Sequence, residues 1–398
     1  MDVTIYPRRL CGTLTPPPSK SMAHRVVLAE LLAGKDTFSV SASLSEDIRA
    51  TVSCADALRL PDGFPVPNHV ALPVLDCGES GSTLRFLIPV ALVLRGGGVF
   101  TGHGRLLRRP LEPYRNLCRE KGVLYEQSEN CLTVRGRLTP GEYRLPGDVS
   151  SQFITGLLFA LPLLPGDSVI RLTSPLESAA YVDMTLDVLR KSGVTVECPD
   201  AETFRVPGRQ RYRADNLSVE ADWSQAAFWC AANFLGNRVK LLGLNPASVQ
   251  GDRVIVKLFR KMANPNPVPI EIDLSGIPDL FPPLAVMAAW HTLTYFTHAG
   301  RLRLKESDRL DSIENLLRAF GVAVQSGADW MTVDGGLPDS GEPLTLDGNN
   351  DHRIVMAAAV LASVWDSPVT IRGAEAVNKS YPSFFADYQR LGGKIRVL

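Results

Sequence analysis

A polar or Gly/Ser-rich turn followed at once by an apolar, Ala- or Leu-rich helix recurs six times along this chain, and no other sequence feature limits the fold as tightly. The stretches are PSKSMAHRVVLAELLAG, CGESGSTLRFLIPVALVL, DVSSQFITGLLFALPLL, EADWSQAAFWCAANFLG, IPDLFPPLAVMAAWH and NNDHRIVMAAAVLASVW. With Ser19, Glu79, Ser150, Asp222, Asp279 and Asp351 as markers, the intervals are 60, 71, 72, 57 and 72 residues. Spacing this even marks a repeat architecture, although the stretches share little identity. A helix apolar on every side must be buried. Six of them in 398 residues call for more than one core, so two domains of three repeats each are expected.

Short β-like runs bounded by turn residues lie between these helices: 130–136, 167–174, 193–199, 301–305, 329–336 and 392–398. Amphipathic helices alternate with the apolar ones. DRLDSIENLLRAFG lines up Leu310, Ile313, Leu317 and Phe320 along one side before a Gly stop, and 182–194 is patterned like it. Each repeat therefore reads as strands with one buried and one amphipathic helix, an α/β unit.

Lys+Arg and Asp+Glu both number 42, so no global field draws the chain to nucleic acid or to a membrane surface. The longest apolar runs, such as residues 354–365, fall short of the roughly 20 residues a membrane span needs. Seven cysteines, an odd number, include no CxxC pair, so neither a metal site nor a redox motif is indicated. The opening MDVTIYPRRL has no signal-peptide apolar core. A reduced, cytoplasmic protein is the expectation.

The chemistry concentrates at the helix starts. Lys20 and Arg25 fall in the first turns of a helix, where the macrodipole disfavours cations unless an anion is present. Arg85 and Arg353 repeat the theme, and cations do not cap N-termini. Further basic groups flank these turns: Arg105, Arg108 and Arg109 in a Gly-rich loop, Lys305 and Arg309 around Glu306 and Asp308, His352 beside Arg353, and Lys379. Arg grips carboxylate or phosphate bidentately, and Lys is a movable charge that can also carry a proton. Asp279 opens an otherwise apolar helix, and Glu306 stands among cations. A plain helix cap is the alternative role for Asp279, and a first-turn ion pair for Glu306. No GxGxxG, GxxxxGK[ST], HExxH or GxSxG is present, so hydride transfer, Walker-type phosphoryl transfer and triad hydrolysis lack support. What remains is a cofactor-free site for small polyanions with Lys, Asp, Glu and His handling protons.

Nine motifs in order, PPPSKSMAHR, SGSTLRF, GRLLRRP, SSQF, SAAYVDMT, IPDLFPPLA, LKESDRL, NDHR and NKSYPSFF, make the chain resemble the 5-enolpyruvylshikimate-3-phosphate synthase family from Lys20 to Phe385. The resemblance implies a two-domain inside-out α/β barrel, each domain of three βαβαββ-type units, with the active site in the cleft between domains. Residues 19–219 would form the N-terminal domain, mainly for shikimate 3-phosphate. Residues 1–18 with 220–398 would form the C-terminal one, mainly for phosphoenolpyruvate and the catalytic acids. The implied reaction moves the enolpyruvyl group of phosphoenolpyruvate to the 5-hydroxyl of shikimate 3-phosphate and releases phosphate, in a cytoplasmic monomer without metal or organic cofactor.

Carried over by motif, Lys20, Ser21, Arg25, Ser150, Ser151, Gln152, Ser178, Tyr181, Asp279 and Lys305 resemble the shikimate 3-phosphate ligands. Lys20, Gly81, Arg105, Gln152, Arg309, Arg353 and Lys379 resemble the phosphoenolpyruvate ligands, with His352 a further candidate. Asp279, Glu306 and Lys20 would handle protons. The chain departs from the family at Glu79-Ser80-Gly81-Ser82, where Asn-Ala-Gly-Thr or Asn-Ser-Gly-Thr is common. The alternatives are the sister enzyme that transfers enolpyruvate to UDP-N-acetylglucosamine and a non-catalytic polyanion-binding scaffold. The loop GHGRLLRRP lacks the Cys or Asp typical of the sister enzyme near the arginine region.

Overall fold

All six apolar stretches are buried helices. The computed structural model describes residues 1–40, 45–59, 71–215, 217–264, 268–338 and 341–398. The chain divides into two compact units, Lys20–Val219 and Met1–Ser19 with Glu220–Leu398. The helices are Lys20–Leu32, Gly81–Arg95 and Ser151–Ala160 in the first unit, and Trp223–Phe234, Phe281–Trp290 and His352–Ala362 in the second. Each contributes to its own unit's hydrophobic core. Their starts are capped as polar turns should be: Ser80, Ser150, Asp222 and Asp351 side chains each accept a first-turn backbone N–H.

The repeat is legible in the sheets. Ile270–Asp273 pairs parallel with Thr294–Thr297 across the Phe281–Trp290 helix. After the amphipathic helix Arg309–Ala319, Ala323–Ser326 and Met331–Asp334 return antiparallel, giving strand–helix–strand–helix–strand–strand. Val74–Asp76, Gly97–Thr101, Leu124–Gln127 and Cys131–Arg135 follow the same order. In the last repeat, Leu344–Asp347, Val369–Arg372 and Lys394–Val397 are joined by Val3–Tyr6 from the start of the chain, which lies between the latter two. Residues 17–19 then run beside 220–222, tied by the Ser19 N–H to the Glu220 carbonyl at 2.8 Å and the Asp222 N–H to the Pro17 carbonyl at 2.9 Å. Among the described residues no helix is long and apolar enough to cross a membrane.

Two expected strands are absent. Residues 301–305 curl into the 3-10 helix Gly300–Leu304. Their alternation is not half-buried: Leu302 is buried but Leu304 is exposed, and Arg303 turns to Asp308 and Asp311 just downstream. Residues 193–199 make only an isolated bridge, Glu197 to Arg205, because the Gln210 side chain takes the Thr195 N–H at 2.7 Å.

Pro89 lies inside Gly81–Arg95 and has no N–H for the Arg85 carbonyl four residues earlier. The Tyr114 hydroxyl fills that role, 2.9 Å from both the Arg85 and Phe153 carbonyls. Tyr114→Phe leaves the Arg85 carbonyl short of a donor in a buried place, so it should cost about 1–3 kcal/mol. Urea unfolding checks this, and a stability equal to the parent's would show that the tyrosine ring alone matters.

Candidate active site

Within Lys20–Val219 one buried cation is held by neutral groups alone among its hydrogen-bond partners. Arg25 is buried, and its Nε, Nη1 and Nη2 donate to Thr185 Oγ1 (2.9 Å), the Ser21 carbonyl (2.7 Å) and the Tyr181 carbonyl (2.7 Å), all neutral oxygens. Burial pushes its guanidinium down to about 9, which leaves it protonated at neutral pH. Ser21 and Tyr181 are thereby joined to Arg25. Ser178 stands one turn before Tyr181, buried and held at φ 57° and ψ 40°, a strained conformation for a residue with a Cβ. Lys20, the first residue of its helix, pairs with Asp47 at 2.7 Å.

A second group forms at Gly81. A Cβ there would stand 2.7 Å from Arg109 Nη1 and 2.8 Å from Arg85 Nη1, so only glycine lets both guanidinium groups reach the start of this helix. Arg85 Nη1 donates to Gln152 Oε1 at 2.8 Å, and Gln152 Nε2 donates to Ser82 Oγ at 2.9 Å. Ser150 caps the helix that carries Gln152, and Ser151 is its buried first residue. Helix N-terminus and paired guanidinium groups together suit an anion. Arg105 is exposed; the arginine that reaches Gly81 from this loop is Arg109.

In the other unit one ionic network holds five of the expected residues. Arg309, 1% exposed, bonds Asp351 (2.9 Å), Asp279 (2.9 Å) and Glu306 (2.7 Å). Burial opposes its charge, but these three acids hold the guanidinium above its usual range. Asp279 also meets Arg353 Nη2 at 3.2 Å and Lys305 Nζ at 3.6 Å, while its backbone carbonyl accepts from Arg353 Nη1 at 2.9 Å. Asp279 lies in the 3-10 turn Pro278–Leu280 and not at the cap of the next helix, and its carboxylate faces the cations. Burial pushes Lys305 down to about 8, with Asp279 working the other way. Lys379 Nζ donates to the Asn350 carbonyl at 2.7 Å, which seats it on the turn that presents Arg353. His352 is buried, with Nδ1 3.8 Å from Asp351 Oδ1.

Over nearly its whole length the chain matches proteins of one kind. A profile of the family described as EPSP synthase (3-phosphoshikimate 1-carboxyvinyltransferase) matches residues 5–388. The chain belongs to the EPSP synthase family. It is 40% identical to the 3-phosphoshikimate 1-carboxyvinyltransferase of Clostridium kluyveri over 99% of this chain and 98% of that protein. Identity to the enzyme of the same name from Clostridium acetobutylicum is 39% with the same coverage. The solved EPSP synthase of Acinetobacter baumannii superposes with a TM-score of 0.75 at 22% identity, covering 100% of both chains. The enolpyruvyl transferase NikO of Streptomyces tendae gives 0.74 at 17% identity, over 99% and 98% of the two chains. At these identities the two structures establish the fold, the two-domain α/β architecture of enolpyruvyl transferases.

The EPSP synthase motifs did not single out every group the structure adds. Asp351 is wholly buried; burial opposes its charge, yet Arg309 holds its carboxyl below the usual range. Its place in NNDHR marked it only as a helix start. Asp47 has no motif around it. Asp252 is buried in the turn Gly251–Val254, where burial and then the nearby Asp279 push it up to about 7.

Proposed function

We propose that this chain transfers the enolpyruvyl group of phosphoenolpyruvate to the 5-hydroxyl of shikimate 3-phosphate, releasing phosphate. The surroundings of Asp279 carry the reading. A carboxylate met by Arg309, Arg353 and Lys305 within 4 Å is held in a fixed place among cations, where a proton acceptor beside anionic substrates would stand. Full-length likeness to proteins named for this reaction favours it over the nucleotide-sugar transferase and over an inert scaffold.

Residues 19–219 supply most shikimate 3-phosphate ligands, with Arg25, Ser21, Ser178, Tyr181, Ser150, Ser151 and Gln152 around the phosphate and ring, and Lys305 and Asp279 at the ring hydroxyls. Phosphoenolpyruvate takes Lys20, Gly81, Arg105, Gln152, Arg309, Arg353 and Lys379. Arg109 joins them because it reaches Gly81. A proton added to C3 of phosphoenolpyruvate makes C2 electrophilic, and the 5-hydroxyl attacks there as Asp279 takes its proton. Loss of a proton from C3 then expels phosphate and regenerates the enol ether. Lys20 and Glu306 are the groups proposed for the C3 transfers. Seven unbridged cysteines suit a reducing cytoplasm, where we place this protein, as a monomer.

Phosphate release from the purified protein tests the reading: phosphoenolpyruvate with shikimate 3-phosphate, no added metal, and UDP-N-acetylglucosamine as the parallel acceptor. Release only with shikimate 3-phosphate supports it; release only with the nucleotide sugar overturns the acceptor. The pH profile adds a check. With Lys305 at about 8, its charge is lost above that pH in the free enzyme, so kcat/KM for shikimate 3-phosphate should fall on the alkaline side. Lys305→Arg keeps the charge and should lack that limb whatever its absolute rate.

A further inference from the structure

Glu79 is the side chain whose charge fits its neighbourhood least. It stands two positions before Gly81, where Arg109 and Arg85 leave no room for a Cβ. A carboxylate in that space would compete with an anionic ligand. The side chain goes to the neighbouring loop instead. A Cβ on Gly104 would lie 2.7 Å from Glu79 Cδ and Oε2 and 3.0 Å from Oε1. The carboxylate therefore occupies the face of Gly104 that any other side chain would fill, and the φ of +63° there favours glycine as well.

His103 Nε2 is 3.8 Å from Glu79 Oε1, but the imidazole is 72% exposed against 15% for the glutamate. A pair so open to water contributes little as a charge interaction; the close approach to Gly104 is what ties the carboxylate to this loop. Backbone bonds sew the two loops together at this point. The Cys77 N–H donates to the Thr101 carbonyl and the His103 N–H to the Gly78 carbonyl, both at 2.9 Å. Beyond the seam Leu106 and Leu107 are buried, and the short turn Leu106–Arg108 delivers Arg109 to Gly81.

We propose that Glu79 is a positioning residue for phosphoenolpyruvate: seated on Gly104, it holds the loop 102–109 where the Arg109 guanidinium meets Gly81, and it acts through Arg109 and not on the substrate. The inference rests on the assignment of Gly81 and Arg109 to phosphoenolpyruvate. It also explains how an acid is tolerated at this turn, because the carboxylate is spent on the loop.

Steady-state kinetics on five variants, one of them double, test it. Glu79→Ala should raise KM for phosphoenolpyruvate about tenfold, the scale of one lost hydrogen-bond-sized contact. KM for shikimate 3-phosphate and kcat at saturation should stay within about twofold, as for loss of uniform binding. Glu79→Gln keeps the length and one oxygen and should restore most of the loss. Gly104→Ala places a methyl in the seat and should raise the same KM in the parent, but by less in the Glu79→Ala background, where no carboxylate is displaced. An unchanged or lowered KM in Glu79→Ala overturns the proposal, since a carboxylate that faced the ligand would repel it. Strictly additive effects of the Glu79 and Gly104 changes overturn it too. Arg109→Ala separates the two layers: if it leaves KM for phosphoenolpyruvate unchanged, the site assignment falls. If it raises that KM while Glu79→Ala does not, only the role of Glu79 falls.

Discussion

Asp279→Ala is expected to slow phosphate release from phosphoenolpyruvate and shikimate 3-phosphate by about 10²–10⁴-fold, the range that a positioned general base supplies. Binding of shikimate 3-phosphate should survive within about tenfold, because one lost hydrogen bond is offset by a more positive surrounding. The sign follows from the geometry. Arg309 at 2.9 Å, Arg353 at 3.2 Å and Lys305 at 3.6 Å all face this carboxylate, and removing it leaves those cations to the substrate's anionic groups. Turnover and affinity therefore move apart. Rapid-quench phosphate release and binding calorimetry on the same preparation read both. Turnover equal to the parent's would remove Asp279 from the chemistry. Binding and turnover lost together, with a lower melting temperature, would make it a structural ion-pair partner.

Elements set by a local signal are legible in the sequence. A polar cap followed by a mostly apolar run fixes a buried helix within one stretch of chain, and Ser150, Asp222 and Asp351 cap as their side chains allow. Legibility fails where a long side chain decides the backbone. Arg303 reaches carboxylates five and eight residues on, and that contact curls a run whose alternation suggests a strand. Of the site, the acids and cations near helix starts were legible as chemistry, but not their partners. Arg25 is satisfied by Tyr181 and Thr185, more than 150 residues away. Nothing in the loop GHGRLLRRP shows that Arg109 is the arginine beside Gly81; the bare Cα of Gly81 does, because a Cβ there would meet its guanidinium. Asp351 looked like a cap and is one, yet the same carboxylate also accepts from Arg309 and Ser307.

Arg309→Met should destabilise the unit formed by Met1–Ser19 and Glu220–Leu398 by about 3–5 kcal/mol at neutral pH, the cost of stripping a buried ion pair of one partner. Methionine keeps much of the volume, so packing loss is the smaller part. The larger part is Asp351, wholly buried and deprived of the guanidinium that holds its carboxyl below the usual range. The pH dependence tells the two apart. In the parent, a depressed folded-state value means that Asp351 contributes stability above the ordinary carboxylate range, and that this is lost only in strong acid. In the variant, burial without Arg309 raises the value, so the folded form takes up a proton that the unfolded chain has already released, and stability falls as pH rises. The gap between the two proteins should therefore widen from about pH 4 upward, where unfolded carboxyls ionise, and shrink on acidification. Urea unfolding at pH 7.5 and pH 5 measures that gap. A gap of equal size at both would place the effect in packing and remove the three acids from the account. A gap that shrinks in acid would identify Arg309 as the charge that keeps buried Asp351 ionised, in the same network that fixes the places of Asp279 and Glu306.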